Sequence, residues 1–194
     1  MTTFEEEVAR VEKMGARRAQ GFLEAKWFID QFRNKKIDRY IEIGARHGWT
    51  FYLVGKILKP KHMLAIDLPG VYPWGDAGSE ACLKAVVDDL RDTIDARVYW
   101  GDSTSEAILK RVDDEFGYAD LAFIDGDHRY AGCKADYENF KTRAKTLVFH
   151  DTHTRKGGVE VIDLWNEIKG DNSREYFADY SGIGILESPF LPVR

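Results

Sequence analysis

Short apolar runs alternate with helical stretches along most of this chain, and this alternation constrains its fold more than any other feature. Strands that alternate with helices favour a parallel sheet that is covered on both faces and joined by right-handed crossovers. The apolar runs that predict strands lie at residues 39–43, 62–66, 97–100, 119–124 and 145–149. Residues 175–180 and 183–186 predict a closing antiparallel hairpin. The predicted fold class is therefore α/β, with a doubly wound and mostly parallel sheet.

Residues 4–33 are predicted to form one helix ahead of this sheet. Acidic residues 5–7 lie early and Arg17 and Arg18 lie late, an order that suits the helix dipole. Apolar residues recur at helical spacing near its end, and they are Phe22, Leu23, Trp27, Phe28 and Phe32. We interpret this stripe as a packing surface against the sheet or a partner subunit. The chain accordingly divides into an N-terminal helical extension, residues 1–35, and one α/β domain, residues 36–194.

Composition narrows the choice of partners and of cellular location. The net charge of -5 over 194 residues argues against nucleic acid or an anionic membrane as the partner. Cys82 and Cys133 form neither a metal-type spacing nor a disulfide framework, so a reducing, cytoplasmic location is expected. The N-terminus lacks the pattern of a signal peptide, and no apolar run approaches the ~20 residues of a membrane helix. The chain is therefore expected to be a soluble, intracellular protein.

Residues 42–48 follow the first predicted strand and read Glu-Ile-Gly-Ala-Arg-His-Gly. Gly44 and Gly48 flank a turn into a helix, where glycine lets the backbone approach a ligand and aim its N–H groups at it. The segment is neither the G-x-G-x-x-G pattern of dinucleotide folds nor a phosphate loop with its lysine. Taken alone it is weak evidence for a binding site.

Acidic residues end the next two predicted strands. Asp67 ends the second strand, where a carboxylate fits hydrogen bonds to the two hydroxyls of a ribose. Asp102 and Ser103 end the third strand, where a carboxylate could accept from an exocyclic amine. The alternatives are a solvated or capping Asp67, and Asp102 or Ser103 as the cap of the next helix. Taken together, these residues describe a nucleoside site without a pyrophosphate.

Two further strands end in carboxylates and imidazoles. Asp125-Gly126-Asp127-His128 follows the fourth strand and His150-Asp151-Thr152-His153 follows the fifth. Ligands bind at this carboxyl edge of open α/β sheets, although an ordinary Asp-Gly turn is the alternative. Asp125, His150 and Asp151 could converge on one divalent cation. Carboxylates and water suit Mg²⁺, and an imidazole makes Mn²⁺ more acceptable.

Residues 36–186 resemble the class I S-adenosyl-L-methionine-dependent methyltransferases. The glycine turn is similar to their first motif, Asp67 to their ribose acid, and Asp102-Ser103 to their adenine-side motif. Residues 123–130 and 149–152 are similar to the small-molecule O-methyltransferase branch, which carries an Ile-Asp-Gly-Asp-His signature. The resemblance implies a Rossmann-like methyltransferase fold with seven strands. It also implies that S-adenosyl-L-methionine is bound by Glu42, Gly44, Ala45, Arg46, Gly48, Asp67, Asp102, Ser103 and Asp125.

The same resemblance implies O-methylation of a small hydroxylated acceptor, of sugar or phenol type, with a metal that holds two acceptor oxygens. Asp125 and Asp151 match the metal ligands of such enzymes, while His150 stands where they usually have Asp or Glu. His128 matches the catalytic base of some of them and Asp127 that of others. We favour His128, because an unperturbed imidazole titrates near neutrality. A histidine bonded to backbone is the alternative.

Two other functions fit parts of the pattern. A metal-dependent hydrolase could use the six Asp and His residues after the fourth and fifth strands, but it would leave Glu42, Asp67 and Asp102 without a role. A non-catalytic nucleoside-binding protein would need only the residues of the nucleoside site. Tyr72 and Trp74, in the turn-rich loop 69–78, could line the site or pack on the first helix. If the chain forms a homodimer, the aromatic helix and the hairpin edge are the expected surfaces.

Overall fold

The computed structural model describes residues 2–18, 20–70, 79–178 and 181–188. Its strands are β1 Arg39–Ile43, β2 His62–Asp67, β3 Asp95–Trp100, β4 Ala119–Ile124, β5 Ala144–His150, β6 Ser173–Tyr176 and β7 Ile183–Glu187. Within the described residues they form a seven-stranded sheet in the order β3-β2-β1-β4-β5-β7-β6. The first five strands are parallel, and β7 is antiparallel to both β5 and β6. The predicted fold class and the closing hairpin are confirmed.

Helices cover both faces of the sheet. They are α1 Phe4–Lys13, α2 Phe22–Phe32, α3 Trp49–Leu58, α4 Ser79–Leu90, α5 Glu106–Arg111, α6 Tyr130–Phe140 and α7 Val161–Ile168. A π-helical turn at Val112–Phe116 and a 3-10 turn at Lys156–Gly158 complete the set for the described ranges. None of these helices is long and apolar enough to cross a membrane.

Strand β4 shows why the apolar runs could be recognised as strands. Leu121 and Phe123 are buried in the core beneath the N-terminal helices, whereas Ala122 and Ile124 are buried in the core on the opposite face. A strand buried on both faces reads as a continuous apolar run rather than an alternating one. This property allowed the parallel strands to be predicted from the sequence.

The prediction of one helix over residues 4–33 is wrong, because the segment forms α1 and α2. Thr3 and Glu6 form a reciprocal capping box at the start of α1. The helix ends at Lys13 with Met14 as its C-cap, and Gly15 follows with a φ of +95°, a left-handed conformation that glycine readily adopts after a helix. The packing interpretation of the aromatic stripe is confirmed for Phe28, whose ring centroid lies 5.2 Å from that of Phe123.

The register of the parallel strands aligns their carboxyl ends. Ile43 at the end of β1 pairs with Ile66 in β2 and with Ile124 in β4. Ile124 in turn pairs with Phe149 in β5. The residues that follow these positions therefore lie in one row at one edge of the sheet, and they are Gly44, Asp67, Asp125 and His150.

Candidate active site

A cleft of about 1600 Å³ runs along this edge of the sheet. Most of the residues predicted to bind a cofactor or to carry chemistry line it, and they are Gly44, Arg46, Asp67, Asp102, Ser103, Asp125, Asp127, His128, His150 and Asp151. Segments that follow β1, β2, β3, β4 and β5 contribute to its walls. The sheet edge thus brings residues that are distant in sequence into one cavity.

Gly44 brings the turn after β1 into contact with the segment after β4. Its φ is +79°, and a Cβ at this position would lie 2.2 Å from the carbonyl oxygen of Asp125. Its N–H donates to the carbonyl of Ile66 at 2.9 Å. Glycine is required here because the turn after β1 packs directly on the backbone that follows β4.

The other predicted residues of this turn lie behind the cleft wall. A Cβ on Gly48 would approach Leu83 and Val86 at 3.0 Å, so this glycine serves the packing of α3 on α4. Glu42 is 2% exposed and accepts a hydrogen bond from the Tyr40 hydroxyl at 2.5 Å. Burial raises the pKa of Glu42 well above its ordinary value. Among the described residues the cleft lining includes neither Glu42 nor Ala45 nor Gly48, so the structure does not place these three at the surface of the cleft.

Asp67 is held by backbone donors on one side and faces the cleft on the other. Its two oxygens accept from the N–H groups of Arg46 and of Leu68. Arg46 has a φ of 50°, a left-handed conformation that aims its N–H at this carboxylate. Burial raises the pKa of Asp67, with the negative charge of Asp125 adding to the effect and the two backbone donors opposing it. A carboxylate has about four acceptor positions, so about two remain for a ligand such as a ribose diol.

Asp102 and Ser103 form a second fixed segment on the same side. Asp102 Oδ1 accepts from the Thr104 N–H at 2.8 Å and from the Thr104 hydroxyl at 2.7 Å, which closes a turn. Helix α5 is capped by Ser105, which accepts from the Ile108 N–H, so the capping alternative for Asp102 and Ser103 is wrong. Asp102 and Ser103 therefore line the cleft as part of a turn and not as helix caps.

Three side chains converge at the other end of the cleft. His128 Nδ1 lies 2.7 Å from Asp151 Oδ2, and His128 Nε2 lies 3.4 Å from Asp125 Oδ1. One potential ligand atom from each of the three lies within 4.8 Å of the others. Asp151 reaches this position with a φ of 62°, immediately after β5. Two carboxylates and an imidazole fit a divalent cation such as Mn²⁺ or Mg²⁺.

His150, which was predicted as a metal ligand, has a protein partner at each of its ring nitrogens. It is 3% exposed, its Nδ1 lies 3.0 Å from Asp125 Oδ1, and its Nε2 lies 2.9 Å from the Ser181 hydroxyl. Since both ring nitrogens face protein partners, His150 orients Asp125 and leaves the third position of the cluster to His128. Such a histidine behind a carboxylate fixes the geometry of a metal site rather than binding the metal.

His128 does not have the unperturbed pKa on which its choice as base rested. Burial tends to lower its pKa, but the hydrogen bond to Asp151 and the charges of Asp125 and Asp151 raise it to about 9. The imidazole therefore holds its proton at neutral pH in this arrangement. The reason given for the prediction is therefore wrong, although His128 does line the cleft, beside Asp125 and Asp151.

Asp127, the other predicted base, is engaged by its own turn. Arg129 donates to it through its backbone N–H at 3.0 Å and through its guanidinium, with Nε at 2.9 Å from Oδ1. The Arg129 hydrogen bond lowers the pKa of Asp127, so this carboxylate is a poor proton acceptor. A Cβ on Gly132 would lie 2.3 Å from Asp127 Cγ, which shows how closely the turn packs on α6.

The sequence pattern of one protein family, described as a methyltransferase domain, matches residues 41–152, more than half of the chain. The chain belongs to this family. An uncharacterized protein of Sinorhizobium fredii, y4gI, is 26% identical over 82% of the chain. The chain spans only 18% of the length of that relative.

Solved structures share the fold of this methyltransferase domain. One is a Staphylococcus aureus protein provisionally named a caffeoyl-CoA O-methyltransferase, with a TM-score of 0.67, 16% identity and coverage of 95% of this chain and 91% of that one. Another is TomG of Streptomyces achromogenes in complex with SAM, with a TM-score of 0.66, 12% identity and coverage of 97% and 91%. CalS11, a TDP-rhamnose 3'-O-methyltransferase of calicheamicin biosynthesis, has a TM-score of 0.62, 17% identity and coverage of 95% and 94%.

Residues that the sequence did not single out hold Asp125 and the segment around Ser181 in place. Gln20 Nε2 donates to Asp125 Oδ2 at 2.7 Å, and the Thr50 hydroxyl donates to the Gln20 side-chain oxygen. Glu24 is fully buried and accepts from the backbone N–H groups of Ser181 at 3.1 Å and Gly182 at 2.8 Å. The N-terminal extension thus reaches the site. Glu24, a carboxylate within an apolar stripe, was the one available signal.

The remaining predicted residues lie apart from this cluster or outside the described residues. The His153 ring stacks on Phe177 with centroids 5.2 Å apart, and its Nδ1 lies 3.0 Å from the Thr152 hydroxyl. The six-residue cluster of the hydrolase hypothesis is therefore not assembled. Tyr72 and Trp74 lie outside the described residues.

Proposed function

We propose that this chain is an S-adenosyl-L-methionine-dependent methyltransferase that methylates an oxygen of a small hydroxylated acceptor, of sugar or phenol type. One observation carries the proposal: a single cleft joins Asp67 and Asp102 at one end to Asp125, His128 and Asp151 at the other. A nucleoside half and an acceptor half are what methyl transfer between two bound molecules requires. Membership of the methyltransferase family supports the same conclusion.

The nucleoside half fits S-adenosyl-L-methionine better than it fits a dinucleotide. Asp67 offers acceptor positions to a ribose, and Asp102 Oδ1 is committed to its own turn, which leaves Oδ2 for an exocyclic amine. The acidic character of this cleft favours a cationic sulfonium over a pyrophosphate. TomG, whose structure is described in complex with SAM, supports this choice of cofactor.

The acceptor half fits a divalent cation held by Asp125 and Asp151. A cation bound there would supply positive charge that lowers the pKa of an acceptor hydroxyl. Gln20 and His150 fix the orientation of Asp125. His128 lies between the two carboxylates and is proposed as the base that takes the acceptor proton. A cation held by Asp125 and Asp151 would offset the negative charges that raise the pKa of His128, so its imidazole would be neutral and able to accept that proton. S-adenosyl-L-methionine held by Asp67 and Asp102 would supply the methyl group as a sulfonium, and its sulfur would keep the electron pair of the carbon–sulfur bond. His128 would take the proton that the acceptor oxygen loses.

His128 could also serve as the third metal ligand, and one substitution separates the two roles. If His128 is the base, His128→Gln lowers the turnover rate and leaves the Mn²⁺ dissociation constant within about twofold. If it is a ligand, the Mn²⁺ affinity falls with the rate. Mn²⁺ binding followed by electron paramagnetic resonance gives the answer without any acceptor.

Calorimetric titration with S-adenosyl-L-methionine and S-adenosyl-L-homocysteine tests the proposal, with and without Mg²⁺ or Mn²⁺. Both ligands should bind to the purified protein. Release of S-adenosyl-L-homocysteine with catechol-type phenols and with nucleotide sugars then tests the acceptor class. Asp113→Ala, which removes a surface ion pair with Arg143, is the control that should bind as the wild type does. Failure of both ligands to bind would refute the proposed function.

A further inference from the structure

Asp136 is a buried carboxylate in the cleft that the proposed reaction does not use. It is 1% exposed, lies on α6, and lines the cleft on the same side as Ser103. The Ser103 hydroxyl donates to Asp136 Oδ1 at 2.6 Å. This hydrogen bond connects the segment after β3 with the helix after β4. It is a contact between two parts of the site that approach only in the folded chain.

The surroundings of Asp136 make its ionised side chain unfavourable for the stability of the fold. The titratable groups that act on it or are influenced by it are the carboxylates of Asp102 and Asp127 and the thiol of Cys133, and none of them carries positive charge. Its Oδ2 lies 3.3 Å from the point where Gly126 would carry a Cβ, so the backbone closes that side. Burial is the main cause that raises the pKa of Asp136 to about 6. A buried carboxylate without a cationic partner destabilises a fold, so a role in stability does not account for it.

We infer that Asp136 is a positioning residue that sets the hydrogen-bonding direction of Ser103 and thereby the preference of the cleft for adenine. The inference rests on the proposed function, since it assumes that a nucleoside occupies this end of the cleft. A hydroxyl has one proton and two lone pairs. When Asp136 takes that proton, the Ser103 oxygen can only accept from a ligand. The exocyclic amine of adenine has two N–H donors, one for Asp102 Oδ2 and one for the Ser103 oxygen, whereas the carbonyl of hypoxanthine at the same position is an acceptor.

A purely structural tie between the segment and the helix would behave differently. Its loss would weaken the binding of every nucleoside ligand alike, or lower stability, without changing the preference between bases. Sites that read a hydrogen-bond donor reject the analogue that lacks it, because a buried polar group is then left unpaired. The ratio of affinities for two bases is therefore the quantity that separates positioning from support.

The test compares S-adenosyl-L-homocysteine with S-inosyl-L-homocysteine by calorimetry at pH 7.5. The proteins are the wild type, Ser103→Ala, Asp136→Asn, Asp136→Leu and the Ser103→Ala/Asp136→Leu double variant. The wild type should prefer the adenine ligand by roughly tenfold, the value of one charge-assisted or buried hydrogen bond. Ser103→Ala and Asp136→Leu should each reduce this ratio at least threefold. Asp136→Asn should retain it, because the amide oxygen still accepts from Ser103.

The double variant and a control complete the design. Because Asp136 acts through Ser103, the double variant should have the same ratio as Ser103→Ala alone. Ser105→Ala removes a hydroxyl from the same segment without touching Asp136, and its ratio should equal that of the wild type. Circular dichroism checks that each variant is folded. If Asp136→Leu does not fold, the affinity ratios of Asp136→Asn and Ser103→Ala are sufficient to test the inference.

Three results would overturn the inference. These are an unchanged ratio in Ser103→Ala, a loss of preference in Asp136→Asn equal to that in Asp136→Leu, and additive losses in the double variant. If the wild type binds neither ligand, the proposed function fails and takes the inference with it. The wild-type titration comes first, so the two failures are distinguishable.

Discussion

The carbonyl oxygen of Asp125 lies 2.2 Å from the point where Gly44 would carry a Cβ. The turn after β1 therefore packs against the backbone after β4 with no space between them. Gly44→Ala combines a steric overlap with a φ of +79°, so we expect it to lower the free energy of unfolding by about 3 kcal/mol. Urea denaturation measures this loss. We also expect the variant to lose cofactor affinity, because the overlap displaces both halves of the cleft.

Gly157 provides the matched control for this substitution. Its φ of +73° and ψ of 16° are left-handed, but a Cβ there would meet nothing within 4 Å. Gly157→Ala should therefore carry only the left-handed backbone cost of about 1–2 kcal/mol and leave cofactor binding unchanged. Equal losses for the two variants would contradict the packing argument.

Asp67→Ala should weaken binding of S-adenosyl-L-homocysteine by about 1–3 kcal/mol, because hydrogen bonds from ribose to a charged acceptor are lost. The substitution also removes the partner of the Arg46 and Leu68 N–H groups. Stability must therefore be measured beside affinity, with calorimetry at a temperature where the variant is folded. Asp95→Ala, at the start of β3, is the control that should bind normally. An unchanged affinity in Asp67→Ala would count against the ribose role.

The sheet could be predicted from the sequence because its physical cause is local. Residues 39–43 and 119–124 are mostly apolar, with Arg39, Glu42 and Asp120 as the exceptions, and this composition is typical of strands buried on both faces. Once strands are parallel, their carboxyl ends share an edge, and the polar residues after them must meet there. The positions of Asp67, Asp102 and Asp125 follow from this argument alone.

The different contacts of His128 and His150 could not be predicted in the same way. It depends on which ring reaches Ser181, a residue 31 positions from His150. The bond from Gln20 to Asp125 spans 105 positions, and that from Gly182 to Glu24 spans 158. No local pattern encodes such contacts, because they depend on how α2 packs on the finished sheet.

Asp151→Ala should abolish uptake of Mn²⁺ at the cluster, since it removes one of the two carboxylates that would hold the ion. Ser181→Ala should have a smaller effect, about a 10- to 100-fold loss of affinity, because it frees the ring of His150 and so loosens Asp125. Electron paramagnetic resonance of bound Mn²⁺ measures both. Asp163→Ala, which removes a surface pair with Arg155, is the control. Wild-type uptake by Asp151→Ala would exclude Asp151 as a ligand.

Asp136→Asn should stabilise the protein at neutral pH and not at acid pH. The folded-state pKa of Asp136 is raised to about 6, so its protonation favours the folded state. The stability that this carboxyl contributes is present below its unfolded pKa of about 4, and it is lost as the pH rises through 6. The loss approaches about 3 kcal/mol at pH 7.5, at about 1.4 kcal/mol for each pKa unit.

The asparagine side chain cannot ionise, so it does not incur this loss. The difference in unfolding free energy between Asp136→Asn and the wild type should therefore move in favour of the variant between pH 4.5 and 7.5. Urea denaturation at both pH values measures it, and Asp113→Asn shows the change produced by an exposed carboxylate. A difference that is flat with pH would mean that Asp136 is ionised at its ordinary pKa in the folded protein. The cleft wall beside Ser103 would then be better solvated than the structure indicates.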